Sequence, residues 1–292
     1  MQIKEPNSPE YDAPNLRETI EIQQSLIHPT PDNPPWNSWI AFGVWAASVF
    51  FIAALPMLFI FPYLLQNGIK PTDSAQLVEF LQKDTTAIIL NIIAIIPAHV
   101  LTLVLAWLVV TRYKRFSFRA TLGWKWGGFT WWNCLLILGG FFVIAAVVSS
   151  FLPEQDNELM RILRSSRTAV YIVAFMATFT APIVEEVIYR GILYSAFQRT
   201  FGVFIAVLVV TALFALVHVP QYYPSYSTIF LICLLSLILT LIRVKTKNLL
   251  PCIVLHTIFN GIQSLILIFE PFLTNIANQS ENKAAAVIRF LI

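Results

Sequence analysis

The stretch Ala181-Pro182-Ile183-Val184-Glu185-Glu186-Val187-Ile188-Tyr189-Arg190-Gly191 decides how the chain is read. It sets two carboxylates and a guanidinium among residues that stay apolar for many positions on either side. A charged side chain at membrane depth costs about 2.5–3.5 kcal/mol on insertion scales, so it is rare unless paired or put to use. On a helix Glu186 and Arg190 are four apart and share a face, which lets them pair. Glu185 lies about 100° further round and has no cation at helical spacing. One carboxylate is neutralised locally and the other must find a partner elsewhere. The plainest account of such a stretch is a buried Glu–Arg strut between helices, but a strut has no use for Glu185.

The composition says what surrounds this stretch. Of 292 residues, 57% are hydrophobic and only 12% are charged, with 23 phenylalanines and 8 tryptophans. A soluble domain carries about a quarter charged residues, so this is the composition of a polytopic membrane protein. The net charge of +3 gives no footprint for nucleic acid. Cys134, Cys233 and Cys252 all fall in apolar runs, where they read as small packing residues and not as a disulfide framework. The first 35 residues are polar and proline-rich, without the basic segment and apolar core of a signal peptide.

Outward from the Glu-Glu stretch, apolar runs predict seven spans: 36–65, 86–111, 129–151, 168–200, 201–219, 227–243 and 249–269. Pro56 and Pro62 are expected to kink or end the first. Segment 152–167 alternates acids and arginines around Leu159, Ile162 and Leu163, the pattern of a helix lying in the membrane interface. Residues 1–35 read as a mobile polar tail in which 20–27 forms at most a short surface helix, and 284–292 as an apolar surface helix in the 271–292 tail. The fold class expected is an all-α polytopic membrane protein with about seven transmembrane helices around a polar intramembrane cavity. With the N-terminus inside, the inner segments hold 11 Lys and Arg against 7 outside, which favours that orientation.

Two further polar pairs interrupt the spans, Phe214-Ala215-Leu216-Val217-His218 and His256-Thr257-Ile258-Phe259-Asn260. His256 and Asn260 are four apart and face the same way. A lone membrane histidine reads as a packing donor, and His99 in the second span is read so. Glu185, Glu186, Arg190, His218, His256 and Asn260 all fall in the last four spans, however, and one shared polar site would supply partners for each. At about 1.5 Å per residue, a hairpin turning near Thr200 returns His218 to the level of Glu185. Straight helices leave His256 nearer the inner surface, a gap that tilt or an earlier helix start must close.

Glu185-Glu186-x-x-x-Arg190, Phe214-x-x-x-His218 and His256-x-x-x-Asn260, in that order, resemble the three-motif signature of the CPBP intramembrane proteases. That family includes type II CAAX prenyl endopeptidases and bacteriocin-immunity (Abi) relatives. The resemblance covers residues 170–265, and it implies a CPBP-like protease core over 168–270, preceded by N-terminal helices over 36–167. It further implies that Glu185 is the base for an attacking water, shared with His218, and that His256 and Asn260 donate to the developing oxyanion. Glu186 and Arg190 would be a structural ion pair, and Phe214 a packing residue. No cofactor is favoured, although Glu185, His218 and His256 are the ligand types of a catalytic zinc. The implied partners are the bilayer and a peptide or prenylated-protein C-terminus; the implied location is an integral, multi-pass one, the plasma membrane in a bacterium. The competing readings are a non-enzymatic scaffold or immunity factor, and a transporter, which would more often show repeat symmetry in both halves.

Overall fold

The computed structural model describes residues 28–279. The short helix expected at 20–27 and the apolar run 284–292 lie outside the described residues. The elements are α1 (Ser38–Gln66), α2 (Ser74–Lys83), α3 (Thr85–Thr111), α4 (Phe118–Leu122), α5 (Trp131–Phe151), α6 (Glu158–Ser165), α7 (Arg167–Phe201), α8 (Val203–Tyr222), α9 (Tyr226–Thr246) and α10 (Leu250–Gln279). Seven of them, α1, α3, α5, α7, α8, α9 and α10, are long and apolar enough to cross a membrane. The chain is an all-α polytopic membrane protein.

Local sequence explains the breaks and caps. α1 runs unbroken through Pro56 and Pro62, where a kink or an end was expected. α3 is interrupted at Ala94, because Pro97 has no N–H to give to Ile93 O and the ladder lapses there. The loop expected over 66–85 contains α2, whose N-cap Asp73 accepts from Gln76 N at 3.1 Å. Asp84 caps α3 in the same way, accepting from Ala87 N at 2.7 Å. In the expected interfacial segment, α6 pairs Arg161 with Glu158 and anchors Arg161 on Gln82 O at 2.7 Å.

α7 is the central helix. Its Val187, Ile188, Ile192, Leu193 and Tyr194 pack with Ala41 and Val44 of α1, Ala106 and Val110 of α3, and Val207, Val210 and Phe214 of α8. A second core joins α5 to α9 and α10 through Leu138, Phe141, Leu239, Leu255 and Phe259. Cys134 and Cys252 are buried in that core as packing residues, whereas Cys233 is exposed on the bundle surface.

The N-terminal segment needs a correction. Residues 30–36 are not a free tail but are docked on the ends of α7 and α9. Arg243, fully buried, donates to Asp32 Oδ1 at 2.9 Å and to Pro31 O at 2.7 Å. Arg199 donates to Pro34 O at 2.7 Å and Trp36 O at 2.9 Å. The reason is the desolvation of Arg243: a buried guanidinium must find acceptors, and this segment supplies them.

At the same end, the turn between α9 and α10 is sunk beneath the 112–130 loop. Leu249 is fully buried and its N–H donates to Gly123 O at 2.8 Å. The depth gap expected between Glu185 and His256 is closed, since the two side chains come within 3.8 Å of each other.

Candidate active site

Glu185 and Glu186 lie on an α-helical stretch, Ala181–Glu186, with a π-helical stretch on either side, Met176–Thr180 and Val187–Leu193. Such wide turns are uncommon and cluster at functional sites. Pro182 accounts for the first. The N–H of Ala181 goes to Met176 O, five residues back, and Pro182 has no N–H to offer. Ala177 O is thus left without an intrahelical donor, and Asn260 Nδ2 of α10 supplies one at 2.8 Å. The same turn is tied to α10 by Thr178 Oγ1, which donates to Ser264 Oγ at 2.9 Å. It is tied to α3 by His99, whose Nδ1 meets Thr180 Oγ1 at 2.9 Å. Thr180 gives its own hydroxyl proton to Met176 O, so His99 Nδ1 is the donor.

Glu186 and Arg190 meet side by side, Nη1 to Oε1 at 2.9 Å, with both side chains fully buried. Three further donors of Arg190 are used on α9: Nη2 reaches Ser236 O at 2.9 Å and Ser236 Oγ at 2.8 Å, and Nε reaches Thr240 Oγ1 at 3.3 Å. Its guanidinium carbon lies 4.7 Å from the centre of the Phe214 ring. This is what a buried pair requires, since Coulomb attraction alone does not repay the desolvation of both ions. Ser236 and Thr240, which sequence reasoning passed over, left a legible trace as two hydroxyls four apart in an apolar span.

His256 stands between the two glutamates. Its Nδ1 is 2.8 Å from Glu186 Oε1, and its Nε2 is 3.8 Å from Glu185 Oε2. A carboxylate paired with arginine only accepts, so His256 carries its proton on Nδ1 and turns Nε2 toward Glu185. The Glu185 side chain is 22% exposed where that of Glu186 is fully enclosed. The adjacent carboxylates therefore sit in different surroundings: Glu186 is enclosed, with Arg190 and His256 both on Oε1 and its Oε2 buried without a donor, whereas Glu185 is partly exposed.

Phe214 joins the second motif to the other two. Its ring centre is 4.7 Å from that of His218, 6.2 Å from that of His256 and 5.0 Å from that of Tyr189. His218 is half-buried, and its Nδ1 donates to Phe214 O at 2.7 Å, which leaves Nε2 with the ring's lone pair when the imidazole is neutral. The resemblance put His218 beside Glu185 on one water; the ion-pair contact of Glu185 is to His256. Asn260, expected to face an oxyanion, has one amide N–H committed to Ala177 O. Among the described residues, no three His, Cys, Asp or Glu side chains are grouped as a metal site, and Glu185, His218 and His256 do not form one.

The chain matches no curated protein and no solved structure. Residues 167–262, the segment that holds all three motifs, match the family model described as Type II CAAX prenyl endopeptidase Rce1-like.

Proposed function

We propose that the chain is an intramembrane endopeptidase in which Glu185 activates the attacking water. The observation that carries this reading is the asymmetry of the two glutamates: Glu186 is consumed by Arg190 and His256, while Glu185 remains partly exposed with an imidazole 3.8 Å away. That separation is too long for a direct hydrogen bond and suits a water shared by the two groups.

In the reaction as proposed, the water oxygen attacks the scissile carbonyl carbon as its proton passes to Glu185. His218 Nε2 is a second acceptor for the same water. The oxyanion takes a hydrogen bond from the second amide N–H of Asn260, the first being held by Ala177 O, and from His256 Nε2 in its protonated form. The C–N bond then breaks, the leaving nitrogen takes the proton from Glu185, and a carboxylic acid and an amine result, the acid passing its remaining proton to the amine to give a carboxylate and an ammonium. Glu186 and Arg190 act through His256, fixing its ring by the Nδ1 bond. We assign the catalytic core to 168–270. The substrate class is the C-terminal peptide of a prenylated protein, presented from the bilayer, which in a bacterium is the plasma membrane.

The test is cleavage of a quenched fluorescent peptide with a prenylated C-terminus by the full chain in proteoliposomes. Glu185→Gln is expected to lower turnover by at least about 10²–10⁴-fold, the usual contribution of a general base, at unchanged folded yield. Wild-type turnover in that variant refutes the assignment. Turnover is also expected to survive dialysis against a chelator; loss with recovery on adding zinc would replace the glutamate-activated water by metal chemistry.

A further inference from the structure

A cavity of about 450 Å³ lies at the end of the bundle where α1 begins and α3 ends, and the reaction proposed above does not use it. Its floor is apolar, from Ile40 of α1 and Leu108 of α3. One wall is Trp36, fixed by its Nε1 donating to Ile192 O at 3.1 Å and by its carbonyl accepting from Arg199 at 2.9 Å. The other wall carries Arg112 and Arg115.

The chain takes an uncommon course to put both arginines there. Arg112, Tyr113 and Lys114 have φ of 45°, 58° and 73°, three successive non-glycine residues in the left-handed region. L-residues avoid this conformation because Cβ crowds the following carbonyl. The run is pinned by Arg112 N to Val109 O at 3.3 Å, Tyr113 N to Leu108 O at 3.2 Å and Lys114 N to Thr111 Oγ1 at 3.1 Å. The chain doubles back at the end of α3, and Arg112 and Arg115 line one cavity. Neither arginine has an ion pair among the described residues, and residues 112–130 contain no acid. Both lie just past the end of α3, which is long and apolar enough to cross a membrane. Below them Leu101 and Val104 of α3 are exposed in line with Leu108, and Ile40 is exposed beside them.

We propose that this cavity binds the headgroup of an anionic phospholipid. Arg112 and Arg115 hold the phosphate oxygens, Trp36 closes the headgroup in, and the acyl chains run along Ile40, Leu108, Val104 and Leu101. Guanidinium forks match phosphate geometry, and basic pockets beside spanning helices are suited to lipid headgroups. The inference stands apart from the protease reading, and its test measures binding, not turnover.

The experiment is native mass spectrometry of the full chain, stripped of lipid in detergent and offered equal phosphatidylglycerol and phosphatidylcholine. Wild type is expected to retain phosphatidylglycerol selectively. Arg112→Gln and Arg115→Gln should each weaken that retention about fivefold, and together about 25-fold, with phosphatidylcholine unaffected. Ile40→Trp, which fills the cavity and keeps both arginines, should also remove the preference. Lys245→Gln with Lys247→Gln, an equal loss of charge at the same end, should leave it. A preference that survives the arginine pair, or disappears equally with the lysine pair, overturns the proposal. Complete displacement by inorganic phosphate overturns the lipid assignment and leaves a simple anion site.

Discussion

Asn260→Ala removes the donor that holds Ala177 O, and Pro182 prevents the backbone from replacing it. Side-chain hydrogen bonds inside membrane bundles average about 0.6 kcal/mol and reach about 1.7. A carbonyl left without any donor away from water costs about 1–3 kcal/mol. The expected loss for Asn260→Ala is therefore about 1–2 kcal/mol, in the upper part of the membrane range because no local substitute exists. The Pro182→Ala chain has an N–H at position 182, five residues after Ala177, and that N–H can take over the carbonyl. In this background the Asn260→Ala loss should shrink to about 0.5 kcal/mol, a coupling of about 1 kcal/mol between the two sites. The assay is reversible unfolding of the four proteins in mixed micelles with increasing SDS, followed by circular dichroism. Equal losses in both backgrounds, within about 0.3–0.5 kcal/mol, would refute the claim that Pro182 creates the need Asn260 meets. Turnover separates the two roles of the residue: an oxyanion donor is missed in either background, whatever the stability.

Glu186→Gln and Arg190→Met should each destabilise the fold by about 3–5 kcal/mol, because either change strands a charge in a fully buried site. Folded yield on gel filtration checks this, and equal loss for Glu185→Gln would erase the distinction between the two glutamates. Gly127→Ala places a Cβ 2.5 Å from Thr246 O at a φ of +58°, whereas Gly128→Ala meets nothing within 4 Å at a φ of +81°. Both carry conformational strain of about 1 kcal/mol, but only the first also pushes the 112–130 loop off α9, so SDS unfolding should show it the weaker protein.

The seven spans were legible because long apolar runs force helices in a bilayer, and the Glu186–Arg190 pair because four residues make one helical turn. The wide turns flanking Glu185 were not, since hydropathy carries no information on whether an N–H reaches four residues back or five. Pro182 was a visible signal for the first of them. The role of His256 between two carboxylates was hidden for a different reason. Its two contacts, to Glu186 and Glu185, join α10 to α7 across about 70 residues of sequence, which helical spacing alone does not pair. The helix α2 was legible and passed over: Asp73 at its start and Asp84 at its end are ordinary caps in a segment read only as polar. Docking of residues 30–36 could not be read, because Asp32 and Arg243 acquire their meaning only in each other's presence.

That contact also fixes an order of events. Asp32 and Arg243 are 211 residues apart. At a synthesis rate of about 5–20 residues per second, Asp32 emerges roughly 10–40 s before its partner exists. During that interval α1, α3, α5, α7 and α8 are inserted while the segment before α1 has nothing to bind at α9. Arg243 then arrives on the penultimate span, and its guanidinium can leave water only as that waiting segment closes over it. The Asp32–Arg243 contact is thus among the last to form at this end of the bundle, on a segment that Arg199 can already hold against α7.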